Sequence, residues 1–480
     1  MAHYDLIIIG TGFAGSFFLK RYLEHAPKRA RVLVLERGAR DTKQWQLENQ
    51  LTSSIDPRAV FVSVPTGKLW YVSPGFGGNS KCWGGGGSRM MPGDFELRSR
   101  YGVGDDWPIS YDDLEAHYCV VEEIMSIAGP ADSPMPRSKP FPLPPHRFSD
   151  PDILLKKRFP TGWYGTATAR ASAPTGQRGV CCGGGGCALC PVDAKFTIEN
   201  GLLGIYSDPR VRLELNSPVE VIETSGGLAR NVTYLQNGST LSDSADLIAL
   251  AASGLFNPHI LLRSNINHPL LGKRLTDKLT VDVSLDLRGV KCFNGSTLVS
   301  GQGYLFYEGE HRRERAACLI ETTNSPFLSA QDALRPERGR WTERLILKFL
   351  FDDVPREDNY VTVNGANPRL AETHFSGYSD YAIRGADYVP KMIDKLAEAL
   401  PVERVAGIFR GSSEAHIEGT VVMGNDPSKS IVDRYLVHHQ VRNLLVLGSS
   451  AFVTAVATHP TVTLSAMSLW AADSLFASRS

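Results

Sequence analysis

YDLIIIGTGFAG, residues 4–15, decides the fold. A run of apolar, β-branched residues stops at Gly10, Gly12 and Gly15; residues 16–25 then carry a helical pattern, and residues 31–35 form a second apolar run closed by Glu36. Strand, glycine turn, helix and strand, with an acid 21 residues beyond the third glycine, make a βαβ opening of the dinucleotide-binding kind. Each part has a physical task. Gly10 permits the tight turn, Gly12 lets the backbone approach a pyrophosphate, and Gly15 lets helix and strand pack closely. The N-terminus of the helix supplies amides and a partial positive charge suited to phosphate. Glu36 is placed to accept ribose hydroxyls, which argues against a 2′-phosphate, while the neighbouring Arg37 leaves such a group open.

Working outward, residues 210–224 and 226–236 alternate as antiparallel strands, and residues 247–252 are a fully buried strand that leads through Ser253-Gly254 into a helix ending at Leu262. The nucleotide-binding core therefore resumes there. Residues 279–287, 303–309, 316–322 and 343–351 are further β segments, followed by an expected helix over 387–400. Several strands with one late helix, set inside an α/β chain, read as a separate sheet domain. A buried strand over 443–447 and a helix over 461–476 close the chain. The Ser110 cap and the apolar spacing after it indicate a helix within 107–125, and the proline-rich stretch 130–145 is an extended surface excursion.

Composition narrows the function. The 480 residues hold 51 Lys+Arg against 51 Asp+Glu, so no basic field favours nucleic acid. No apolar run approaches the roughly 20 residues of a membrane span, and no export signal opens the chain, so the expected location is cytoplasmic. Eight cysteines are too few for a disulfide scaffold.

Chemistry concentrates in three places. Residues 74–88, PGFGGNSKCWGGGGS, hold glycine at seven of fifteen positions, a density that suits backbone pressed against a flat, bulky group. Two late histidines, His416 and His459, stand in turn-like settings, and Pro460 suits the first position of a helix, which puts His459 at its positive end. The third is VCCGGGGCALCP, residues 180–191, with four of the eight cysteines.

In this combination the chain resembles the glucose–methanol–choline (GMC) flavoprotein oxidoreductases, nearest to their sugar-oxidising branch. The matching motifs run in order along nearly the whole chain: the fingerprint with Glu36; Gly77-Gly78-Asn79-Ser80-Lys81-Cys82-Trp83; Ala251-Ala252-Ser253-Gly254 with Asn257-Pro258; His416-x-x-Gly419-Thr420-x-x-Met423-Gly424; Val446-Leu447-Gly448-Ser449-Ser450; and His459-Pro460-Thr461-Val462-Thr463. The resemblance implies an α/β fold, with an FAD-binding Rossmann-like domain and an inserted antiparallel-sheet α+β substrate domain. It places the first over residues 1–110, 170–278 and 412–480, and the second over 111–169 and 279–411.

The implied reaction is oxidation of a CH–OH group, of a sugar, glycoside or other polyol, by hydride transfer to flavin N5. His416 would be the base and His459 would hold the substrate oxygen. The implied FAD contacts are Gly10, Gly12, Phe13, Ala14, Gly15, Glu36, Arg37, Gly77, Gly78, Asn79, Ser80, Cys82, Trp83, Val219, Ala252, Gly448, Ser449, Pro460 and Thr461. Some relatives attach the flavin covalently to a histidine where Cys82 stands here, so a non-covalent FAD is expected. Gly448-Ser449 replaces the aspartate–glycine of many relatives. The expected acceptor is dioxygen or a quinone-like molecule. For Cys181, Cys182, Cys187 and Cys190 three readings stay open: iron–sulfur ligands feeding an electron-transfer partner, a structural zinc site, or small residues of a loop beside the flavin, with no metal. Cys187-Ala188-Leu189-Cys190 is followed by proline, so no haem-attachment motif is present. A lyase or decarboxylase on the same fold is the non-oxidising alternative.

Overall fold

The computed structural model describes residues 2–65, 68, 70–176, 178–325, 335, 337–411 and 416–477. The opening βαβ unit forms as the sequence dictates: His3–Ile9 leads to the helix Phe13–His25 and then to Val32–Leu35. His3–Ile9 lies parallel between Val32–Leu35 and Ser239–Leu250, with Ile7 opposite Leu33 on one side and Ile248 on the other. Val211–Glu214 extends this sheet beyond Val32–Leu35, and Leu228–Gln236 and Val219–Ser225 extend it antiparallel on the far side. Leu444–Val446 adds a parallel strand against the end of Ser239–Leu250. A strand with helices over its faces is buried on both sides, hence the unbroken apolar runs.

The single antiparallel strand expected over 210–224 is instead two strands of opposite kind. Asn216 has φ 52°, a left-handed turn, and Pro218 has no amide to continue a ladder. Val211–Glu214 therefore joins the parallel part, and Val219–Ser225 begins a new hairpin.

The second sheet is antiparallel throughout, in the order Val402–Gly411, Leu279–Leu287, Arg344–Phe351, Cys318–Thr323, Val299–Phe306, Trp163–Gly165. Leu279, Val281, Val283, Leu285 and Leu287 point to one face and pack with Leu345, Leu347 and Phe349 against the helices Asp380–Asp387 and Val389–Leu396. These two helices replace the one expected over 387–400. The Ser379 hydroxyl caps the first, and Pro390, which lacks an amide, suits only the first turn of the second. Phe61–Val64, Trp163–Gly165, Tyr360–Val363 and Ala371–His374, short strands without a period, and Val402–Gly411 escape the sequence reading. Phe61–Val64, Ala371–His374 and Tyr360–Val363 form a third sheet.

The cores separate accordingly. The first joins the parallel sheet to Phe13–His25 and Pro460–Ser474, and it also takes Tyr111, Leu114, Tyr118, Val121 and Met125 from the helix Tyr111–Met125. That helix was expected to open the substrate segment at residue 111. Its apolar stripe faces the final helix.

Candidate active site

The three fingerprint glycines are needed for different reasons. Gly10 has φ 102°, and a Cβ there would stand 2.6 Å from the Ala251 carbonyl oxygen. At Gly15 a Cβ would be 2.1 Å from the carbonyl oxygen of Gly10. At Gly12 a Cβ would meet nothing within 4 Å. No protein neighbour explains that glycine; it faces a cleft of about 980 Å³. The chain thus keeps a bare backbone at the mouth of a helix N-terminus, the disposition that admits a phosphate. Phe13, Ala14, Glu36 and Arg37 share the lining, as do Gly78 and Asn79, Val219, Ala252, and Gly448 with Ser449. This meeting of strand ends, glycine turn and glycine-rich loop fits an extended dinucleotide.

Glu36 is more engaged than its expected role requires. Oε2 accepts the Thr11 amide at 3.0 Å and the Thr11 hydroxyl at 2.7 Å, and Oε1 accepts the Gly38 amide at 3.2 Å. Thr11 Oγ1 also accepts the Gly77 amide at 3.0 Å, so one hydroxyl ties fingerprint, acid and glycine loop together. Thr11 was missed because the middle residue of the first Gly-x-Gly carries no pattern signal. The Arg37 guanidinium lies 4.1 Å from the centre of the Phe256 ring at the cleft wall.

The remaining loop residues shape the site from outside its lining. Ser80 Oγ accepts the Ile198 amide at 3.1 Å, and Trp83 donates Nε1–H to the Phe196 carbonyl at 2.8 Å while meeting Phe13 edge-on. Lys195, also missed, donates to the carbonyls of Lys81 and Trp83 at 2.8 and 2.9 Å and so grips the loop around Cys82; burial brings its pKa down to about 8. Burial pushes the Cys82 thiol up, against the pull of Lys195 and Lys81.

Three distant motifs close over this cleft. Asn257 accepts the Ala252 amide at 2.7 Å and donates to the Leu447 carbonyl at 2.9 Å and the Ser450 hydroxyl at 2.8 Å. Ser449 Oγ donates to the Ile417 carbonyl at 2.6 Å, and the Gly419 amide to the Ser449 carbonyl at 3.0 Å. Gly419, at φ 75°, leaves room for the Arg274 carbonyl, 2.1 Å from where a Cβ would be.

These ties bring the two histidines together, with ring centres 6.2 Å apart and planes at 72°. His459 is the residue before the final helix Pro460–Ser474, where Pro460 and Thr461 form the first turn. Its ring fills the space above Gly86, where a Cβ would lie 2.4 Å from it, and Nε2 is 3.6 Å from Glu321 Oε1. The His416 amide donates to Asp277 Oδ1 at 3.1 Å, and its Nδ1 is buried without a hydrogen-bond partner among the described residues. Burial, then the charges of Lys278, His459, Lys348 and Lys68, hold this imidazole well below the ordinary histidine range.

Beneath the imidazoles the second sheet turns its polar face. Gln302 pairs across strands with Glu321, Glu321 with Lys348, and Lys348 with Asp282, a row opposite the helix-packed side. Gln302 Nε2 donates to Glu321 Oε1 at 2.8 Å, and the Ser88 hydroxyl donates to Gln302 Oε1 at 2.9 Å.

Cys181, Cys182, Cys187 and Cys190 lie around a separate cavity of about 300 Å³ with Arg170 and Lys195. All four are unpaired; Cys181 Sγ faces the Thr297 hydroxyl at 3.5 Å, Cys190 Sγ accepts the Ala194 amide at 3.3 Å, and Cys182 is exposed. Among the described residues no group of three or more His, Cys, Asp or Glu side chains is disposed to hold a metal ion. Among them, too, no helix is long and apolar enough to cross a membrane.

Residues 355–468 match the GMC oxidoreductase family. Over its whole length the chain is similar to the fructose dehydrogenase large subunit of Gluconobacter japonicus, 25% identical over 98% of this chain and 97% of that one. It is also similar to the gluconate 2-dehydrogenase flavoprotein of Pantoea cypripedii, 25% identical over 98% of this chain and 93% of that one. The crystal structure of pyridoxine 4-oxidase from Mesorbium loti superposes with a TM-score of 0.68 at 17% identity, covering 98% of this chain and 99% of that one.

Proposed function

We propose that the chain is a GMC oxidoreductase acting on CH–OH substrates, that it is FAD-dependent, that it oxidises a hydroxyl-bearing carbon of a sugar, glycoside or other polyol to a carbonyl, and that His416 is the base. When bound, FAD supplies the hydride acceptor. The amides at the start of Phe13–His25 and the bare backbone at Gly12 would hold its pyrophosphate, and the loop Gly77–Trp83 would carry the flavin. The high pKa of Cys82 keeps its thiol protonated, which supports a non-covalent cofactor.

Loss of hydride from a neutral alcohol would leave a protonated carbonyl, so the hydroxyl proton must leave with the hydride or before it. The depressed pKa of His416 keeps it neutral at pH 7, so the accepting form is the one present. His459, held between Glu321 and the space above Gly86, would hold the substrate oxygen. The single observation that carries this reading is the convergence of the two rings at 6.2 Å beside a buried Nδ1 that lacks a partner among the described residues. An unsatisfied buried polar atom costs about 1–3 kcal/mol, and a substrate hydroxyl would satisfy it.

The row Gln302, Glu321, Lys348, Asp282 gives the sheet a polar face near His459, which supports a polyhydroxylated substrate. We assign residues 1–110, 170–278 and 412–480, joined by Tyr111–Met125, to FAD binding, and the remainder of 111–169 with 279–411 to substrate. Dioxygen or a quinone-like molecule would reoxidise the enzyme. The test is anaerobic bleaching of the reconstituted flavoprotein by a panel of sugars and alcohols. His416→Ala should slow bleaching by roughly 10²–10⁴-fold while FAD stays bound. Bleaching at the parent's rate would refute the assignment of the base.

A further inference from the structure

Two adjacent residues outside the recognised motifs touch both histidine segments. Thr276 and Glu418 exchange backbone hydrogen bonds, which brings the next residue, Asp277, under the His416 amide. Asp277 and Lys278 are fully buried, and Asp277 Oδ2 accepts Lys68 Nζ at 2.7 Å. Lys278 turns the other way. Its ammonium donates to the carbonyl of Thr458 and, at 3.3 Å, to that of Ala457, the two residues before His459.

We propose that the Asp277–Lys278 dipeptide is a shared mount for the catalytic imidazoles: Asp277 fixes His416 through its amide, and Lys278 fixes His459 through the carbonyls that precede it. The inference rests on the reading of His416 as base. Both residues are positioning groups that act through the histidines. A buried ammonium has strong reasons to stay paired, so the carbonyls of Ala457 and Thr458 are held in place.

The charge also acts on His416 directly. After burial, Lys278 is the largest influence that lowers its pKa, ahead of His459, Lys348 and Lys68. The acidic groups near these cations are Asp277, paired to Lys68; Glu321, beside His459; Asp282, opposite Lys348; and Glu418, which burial pushes up to about 8 and so keeps protonated at neutral pH. Of these cations Lys278 acts most strongly on His416.

The test uses FAD-loaded protein with ring-labelled histidine, titrated by NMR; the His416 resonance is the one missing from His416→Gln. In the parent it should titrate below the ordinary value of 6.5. Lys278→Gln keeps a donor and removes the charge, and should raise the midpoint by about one unit or more, a tenfold gain in proton affinity. Lys278→Arg should restore the parent's value. Asp277→Ala should speed hydrogen exchange in the peptide containing His416 by about tenfold, and Asp277→Asn, which keeps the acceptor, should not. A parent midpoint at or above 6.5, or an unmoved midpoint in folded Lys278→Gln, overturns the proposal. The parent titration decides even if the variants do not fold. Because no substrate is involved, failure here is distinct from failure of the base assignment, which would show as rapid flavin reduction in His416→Ala.

Discussion

Alanine at Gly12 and alanine at Gly15 should damage this protein in opposite ways. At Gly15 the new methyl would stand 2.1 Å from the Gly10 carbonyl oxygen, well inside contact distance, so helix and strand must separate. Overpacking of this kind costs about 1–3 kcal/mol, and the cofactor-free protein should melt about 1–3 °C lower. At Gly12 the methyl meets nothing within 4 Å, and the backbone angles, φ −67° and ψ −170°, suit alanine. The entropy lost by the unfolded chain favours alanine by about 0.4–1 kcal/mol, and the poorer helix cap offsets a similar amount. Net stability without cofactor should therefore stay within about 0.5 kcal/mol of the parent. The methyl would instead occupy the approach to the turn, and FAD affinity should fall at least tenfold, about 1.4 kcal/mol. Circular dichroism melts of apoprotein give the first quantity and quenching of flavin fluorescence gives the second. Parental FAD affinity in Gly12→Ala, or a Gly12→Ala apoprotein as unstable as Gly15→Ala, would refute the argument.

Other consequences can be checked separately. Glu321→Gln, which removes the charge beside His459 but keeps the shape, should slow flavin reduction by sugars about tenfold with FAD affinity unchanged; equal loss of both would point to misfolding. Glu418 has its folded pKa raised from 4.5 to about 8, so its stabilising contribution is complete below pH 4.5 and drains away as pH rises to 8. In Glu418→Gln that loss is absent, and the melting-temperature difference, variant minus parent, should grow over this window and then level off. Acid precipitation of holoprotein should release all the yellow colour; colour kept in the pellet would indicate a covalent link. Thiol reagents should label exposed Cys182 first and leave buried Cys292 and Cys318 untouched until unfolding.

The parallel sheet was legible because its strands are buried on both faces and its turn is fixed by glycine sterics, both of which act within a few residues. Gly15, set against the Gly10 carbonyl, can be understood from local backbone alone. Glu36 could not, since whether it meets a ribose or Thr11 depends on a contact across the turn. The histidines could be named from their motifs, but their 6.2 Å separation is set by hydrogen bonds from Asn257, Ser449 and Lys278, each remote in sequence. Lys278 looks like any charged residue at the head of a strand. The polar row on the second sheet was equally hidden, because each member comes from a different strand and only the register aligns them.

Gly86 and His459 bind each other's evolution. With a ring 2.4 Å from where a Cβ would grow, position 86 cannot drift to alanine while an imidazole remains at 459. A descendant that trades the imidazole for a smaller side chain gains that freedom, and once it has used it, the way back to histidine is closed.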